Sequence, residues 1–147
     1  MNCLGGLKKM KWITWENIGI DRMACAWLIK NHIDKDCEFL FIPAGADYSA
    51  LQGIPFDIPG VKLSHKRGHC SFHTFLKEYK LSDPLLYEIA KIIDGADTIS
   101  DLAIPEESMG LDAICIGLRK ICETDKETLE KSRLIFDSLY AYLANKQ

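Results

Sequence analysis

KWITWENIGIDRMACAWLIKNHIDKDCEFLFIP, Lys11 to Pro43, is the stretch that decides the fold. Its first five residues, KWITW, are rich in β-branched and aromatic side chains and read as a strand. ENIGID follows as a loop. A helix is predicted from about Arg22 to His32. Ala24, Trp27 and Leu28 form its apolar face, widened by Cys25 and Ile29. Asp21 stands at its amino end, where a carboxylate caps free N–H groups and meets the positive end of the helix dipole. After a turn at 34–36, CEFLFIP (37–43) is nearly continuous in apolar residues, as a strand inside a parallel sheet is. Strand, helix, strand in about thirty residues is a βαβ unit, whose crossover is right-handed.

Working outward, Ala46 to Gln52 reads as one or two helical turns. Ile54 to Ile58 and Val61 to His65 are short extended pieces joined by the turn dipeptide Pro59-Gly60. A short helix covers Ser71 to Tyr79. Ser82 caps the next, with Asp83 and Pro84 in its first turn, and that helix runs to about Ile93. Pro105-Glu106 and Thr124-Asp125 open two more. The predicted fold is α/β: a small, mainly parallel sheet of about four strands, with a helical second half packed over it. Residues 1–9, with Gly5-Gly6 and two lysines, read as a flexible arm, and 10–147 as a single domain.

The 147 residues carry a net charge of −3. That balance argues against a face that neutralises a phosphate backbone, so no nucleic-acid partner is expected. The first ten residues hold no apolar core of signal length, and no run is long enough to span a bilayer. The six cysteines show no C-x-x-C spacing, and several fall on apolar helix faces, so reduced thiols and a cytoplasmic location are expected.

Chemistry-bearing residues crowd between Ile54 and Asp97. Three of the four histidines (His65, His69, His73) lie there with Cys70, Asp57 and Asp97. Imidazole, thiolate and carboxylate together suit a divalent ion such as zinc, iron or manganese. Asp57, His65, His73 and Asp97 are the candidate metal ligands. The His69–His73 spacing shares a helical face only if the helix starts before Ser71. Asp97 follows Gly95, which lets the chain turn, so its carboxylate can reach back to His65. Asp21, Arg22 and Cys70 are the candidate catalytic groups. The first two sit where a strand meets its helix, and the third at a helix start, where thiol pKa falls. The structural alternatives are a helix cap for Asp21 and Asp97, an Asx turn for Asp57, and a packed thiol for Cys70.

IDRMACAWLIKNHID, EFLFIP, IPFDIPGVKLSH, CSF, IIDGADT, IPEESMGLDAICIGL and FDSLYAY, in this order, resemble the carboxyl-terminal domain of ChrB-type chromate-resistance proteins. The resemblance runs from about Trp12 to Tyr142. It implies a role in tolerating chromate. The family pattern places an acid after CSF, where this chain has His73, so an imidazole stands in for a carboxylate there. Longer ChrB proteins carry an amino-terminal segment tied to transcriptional regulation that is not seen here. A fainter echo links TWENIGIDRMACAWLI to the opening of DHH-type phosphoesterases. Asp21, Asp57, His65 and Asp97 fall near that family's ligand positions, while Trp15 and Gly19 replace two of its ligands.

Two classes of function stand open. One is a protein with a single metal site, hydrolytic or redox in character if it is an enzyme. The other is a non-catalytic module that binds or senses an oxyanion such as chromate or sulfate through Arg22, Lys66 and Arg67. The expected partner is therefore a metal ion or small anion, with a homodimer left open.

Overall fold

A computed structural model describes residues 9–97 and 103–146. The predicted arm therefore lies outside the described residues except for Lys9. Strand β1 (Lys11–Trp15) sits at the centre of a three-stranded parallel sheet in the order β2-β1-β3. It pairs with β2 (Glu38–Ile42) from Lys11↔Glu38 to Trp15↔Ile42. On its other side is β3 (Ile54–Pro55), through Trp12↔Ile54 and Ile13↔Pro55. The α/β class and parallel sheet agree with the sequence, but the strand number is three rather than about four. Val61–His65 contributes only a single bridge, Phe56↔Leu63. The predicted turns at 46–52 are not helical.

Helix α1 (Ile20–Leu28) begins earlier than predicted and passes at Ile29–Ile33 into a wider π-helical turn. Its N-cap is Gly19, with no side-chain cap. Eight of its nine residues are buried. It crosses from β1 to β2 as the βαβ reading requires. β2 differs from expectation in one respect: it is an edge strand, and only Ile42 is fully buried. The apolar run in CEFLFIP covers one face of the core with Phe39 and Phe41 while its outer edge stays unpaired.

The second half supplies α2 (Ser71–Glu78), α3 (Pro84–Asp97), α4 (Glu107–Ile121) and α5 (Asp125–Ala144). Asp83, not Ser82, caps α3, accepting from the Leu85 amide at 2.9 Å. Pro84 takes the first helical position, where its missing N–H costs nothing. Thr124 caps α5 through the Glu127 amide at 3.1 Å, and Glu127 accepts from the Glu123 amide, a capping box with its register slipped by one.

Gly95 overturns its reading as a turn. It lies inside α3, where a Cβ would stand 2.5 Å from Ser108 Oγ and 3.0 Å from Ile104 Cγ2. Its missing side chain lets α3 and α4 approach. Trp12 and Phe56 from the sheet side meet Phe75, Leu76, Leu86, Ile89, Leu111 and Phe136 from the helices in one core. Burial on that scale, at about 25 cal/mol per Å² of apolar surface, is the main force holding the layers together.

Among the described residues Cys25, Cys37, Cys70, Cys115 and Cys122 are all free thiols. No helix there is long and apolar enough to cross a membrane.

Candidate metal centre

The elements converge on one point above the sheet. Asp21, in the first turn of α1, is 3% exposed. It does not cap its own helix. Both its oxygens instead cap α2: Ser71 N–H donates to Oδ2 at 2.8 Å, and Phe72 N–H to Oδ1 at 3.0 Å. Two α2 amides thus find partners in a residue fifty positions away, which locks α1 to α2.

Asp57 follows β3 with φ of +50°, a left-handed conformation that Asp tolerates better than most residues. That turn aims its carboxylate back over α1, where Arg22 fastens it. Arg22 Nε lies 3.0 Å from Asp57 Oδ2, and the guanidinium also donates to the Asp57 carbonyl oxygen at 2.9 and 3.3 Å. Ser71 Oγ–H donates to Asp57 Oδ1 at 2.6 Å.

His65 closes the group. Its Nε2 lies 2.9 Å from Asp21 Oδ2, 3.1 Å from Asp97 Oδ2 and 3.6 Å from Asp57 Oδ1. Asp97, the last residue of α3, stands at the rim with its side chain 34% exposed. One imidazole among three carboxylates sets the electrostatics. The Asp21 hydrogen bond, helped by the charges of Asp57 and Asp97, holds the His65 pKa above its ordinary value of 6.5, against the opposing pull of burial. Burial, then the neighbouring Asp21, pushes Asp57 upward, countered by Ser71, Arg22 and His65. Burial and Asp21 push Asp97 the same way. The site has collected more negative charge than its own cations neutralise.

Asp21, Asp57 and His65 each offer one ligand atom within 4.8 Å of the others, a spacing that one ion can span. Carboxylate oxygens with an imidazole nitrogen suit zinc, iron(II) or manganese(II). The donor set fits such an ion. Asp21, expected as a catalytic group, therefore joins the cluster, while Asp97 meets it through His65.

The remaining predicted residues lie elsewhere. His73 is not part of the group. It stacks on His69 with ring centroids 3.9 Å apart and abuts Tyr87. His69 in turn bonds Asp94 at 2.7 Å through Nδ1. The helix begins at Ser71, after His69, so the contact arises from the turn that enters α2 rather than from helical spacing. Cys70 is fully buried, with its thiol toward the Ala90 carbonyl. Burial, then Asp21 and Asp94, push its pKa well above 9, so the thiol is packed rather than activated at its helix start. Arg22 is committed to Asp57, and Lys66 and Arg67 sit on an exposed loop, so none is a free anion donor in the centre.

A cavity of about 570 Å³ opens over the cluster, walled by Trp15, Gly19, Pro59, Gly60 and Arg119. A larger one, about 680 Å³, lies between β2 and α5 and has no histidine in its wall. Two residues of the centre escaped the sequence reading. Ser71 was visible in CSF, one position beyond the cysteine that drew attention. Arg119 lies four and eight residues after the buried Cys115 and Leu111, so a charge falls on the inward stripe of α4. That interruption was the available signal. Arg119 bonds only the Asn17 carbonyl, at 3.3 Å, and pairs with no carboxylate among the described residues.

The comparisons agree with this chain's motif order. No solved structure matches, and no similarity to DHH-type phosphoesterases emerges. The chain is 28% identical over 136 residues to Protein ChrB of Cupriavidus metallidurans, a match covering 92% of this chain and 41% of that protein. It thus spans about two-fifths of that relative's length. The family described as ChrB, C-terminal domain, matches residues 12–143, nearly every described element from β1 to α5. On that coverage, the chain belongs to the family of ChrB C-terminal domains.

Proposed function

We propose that this domain holds a single divalent cation on Asp21, Asp57 and His65 and serves chromate tolerance through the pocket above it. The observation that carries the reading is the convergence of three ligand atoms within 4.8 Å, drawn from α1, the loop after β3 and the loop before α2.

The chain's own residues have distinct tasks. Arg22 and Ser71 fix the Asp57 carboxylate in one orientation. Asp97 Oδ2 lies 3.1 Å from the same His65 Nε2 that would ligate, so it would yield that nitrogen to the cation. To ligate, His65 must surrender the proton its acidic neighbours favour, so cation uptake releases protons and weakens as pH falls. A cation in this position supplies Lewis acidity, for water activation or for anion capture. Trp15 and Pro59 line the cavity beside the cluster.

Chelation followed by re-addition of zinc, iron(II) or manganese(II) tests the reading. The expected result is about one ion per chain, lost in Asp57→Asn and His65→Ala variants that keep their helical spectrum. If no metal binds stoichiometrically at neutral pH, the proposal fails.

A specific observation favours a second reading, oxyanion binding without turnover. Arg119 presents to the same cavity a guanidinium with no carboxylate partner among the described residues. Such a fork suits a tetrahedral oxyanion. Calorimetric titration with chromate, sulfate and phosphate, with and without metal, separates the two. Binding by metal-free protein that Arg119→Ala abolishes supports the second, and binding unchanged in that variant removes it.

A further inference from the structure

Helix α4 is apolar on both sides. Its inward stripe, Ser108, Leu111 and Cys115, is buried against the core. Its outward face should be polar in a helix that ends at solvent. Instead Met109 is 64% exposed, Ile114 58% and Ile121 75%. Ile116 is exposed beside them, as are Ala113, Gly110 and Gly117. Within the helix, Lys120 is the one charged residue on that face. A Cβ placed on Gly110 or Gly117 would meet nothing within 4 Å, so neither glycine is required by this chain's own packing. A glycine inside a helix is less favourable than alanine. Two of them on one outward face, between ridges of isoleucine and methionine, form a furrow for another helix.

We infer that the outward face of α4 is the contact surface for a second copy of this chain, paired antiparallel about a two-fold axis near Cys115. The pattern is self-complementary under that reversal. At 100° per residue, Ala113 and Gly117 lie on the centre line and face each other across the axis. Ile114 and Ile121 form one ridge, on the same flank as Gly110. Antiparallel pairing brings the same flank of each helix together, so Ile121 of one copy lies over Gly110 of the other. On the opposite flank Lys120 passes over the partner's Met109. Its ammonium then reaches the level of the partner's Glu106, which is exposed at the other end of the helix, about four residues or 6 Å further along. Parallel pairing would set Lys120 against Lys120. The charges therefore choose the antiparallel arrangement, which also opposes the two helix dipoles. One helix face falls short of the roughly 800 Å² per partner of a standard interface, so the association is of the weak, reversible class.

Sedimentation of the whole chain between about 1 and 100 µM tests the inference, with dimer expected toward the upper end. Gly117→Leu adds a side chain into open space and improves helix propensity, so the variant folds at least as well. It blocks the furrow and is expected to weaken self-association by at least tenfold. Glu106→Lys and Lys120→Glu are each expected to weaken it severalfold, and the double exchange to restore it. Monomer at every concentration overturns the inference, as when another segment covers the face. A dimer indifferent to Gly117→Leu also overturns it, and a double exchange no better than the singles overturns the antiparallel pairing.

Discussion

His65 and Arg22 show how single residues hold the centre. His65 takes its proton at a higher pH in the folded chain than in the unfolded one, where 6.5 is its ordinary value. A base whose folded pKa is raised stabilises the fold fully below the unfolded value and loses that contribution as pH rises through the folded one, about 9. Metal-free protein should therefore lose stability between about pH 6.5 and 9, and His65→Gln should flatten that slope; urea unfolding at several pH values measures both. Arg22 makes three contacts with Asp57 through a planar fork. Arg22→Lys keeps the charge but not the fork, and should cost about 1–3 kcal/mol in urea. The proximity of Asp57, His65 and Asp97 was legible because each bears a ligand-type side chain in one crowded stretch. Asp21 was read as capping its own helix, since no rule of local spacing says that a carboxylate will serve a helix fifty residues on. His73 misled for the same reason: its spacing from His69 was helical in number, and the chain was not helical there.

At the level of elements, the βαβ unit was readable because β1, α1 and β2 each have the periodicity that their environment demands. β3 falls at the start of the extended piece read at Ile54–Ile58, although only Ile54 and Pro55 pair as a strand. Val61–His65 was read as extended, but it bends at Val61, Lys62 and Ser64 and contributes one bridge, at Leu63. Gly95 carries the clearest prediction here. Ser108 Oγ cannot retreat, since it is buried and bonded to the Ile92 carbonyl at 2.7 Å. Gly95→Ala should force α3 and α4 apart and lower stability by about 1–3 kcal/mol despite the better helix propensity of alanine. Thermal and urea unfolding would both register it. A stabilised variant would mean that the two helices are not held at this distance.

For the whole molecule, ligation is a stability term as well as a function. If the three ligand atoms bind a cation only when folded, saturating metal should raise stability by about 2.7 kcal/mol at a hundredfold excess over Kd. The gain should shrink as pH falls below about 9, where protons compete for His65 in the folded chain. Differential scanning with and without metal at two pH values reads this directly. Asp57→Asn should abolish the gain, since the amide keeps the left-handed turn but loses the charge. There is one more outcome of the way Asp21 is shared. Oδ2, the oxygen turned toward His65, also holds the Ser71 amide, while Oδ1 of the same carboxylate holds the Phe72 amide. Any occupant that draws electron density from this carboxylate loosens its grip on both. Deuterium uptake at the start of α2 would then report what fills the pocket, giving a spectroscopist a silent gauge of occupancy where no chromophore exists.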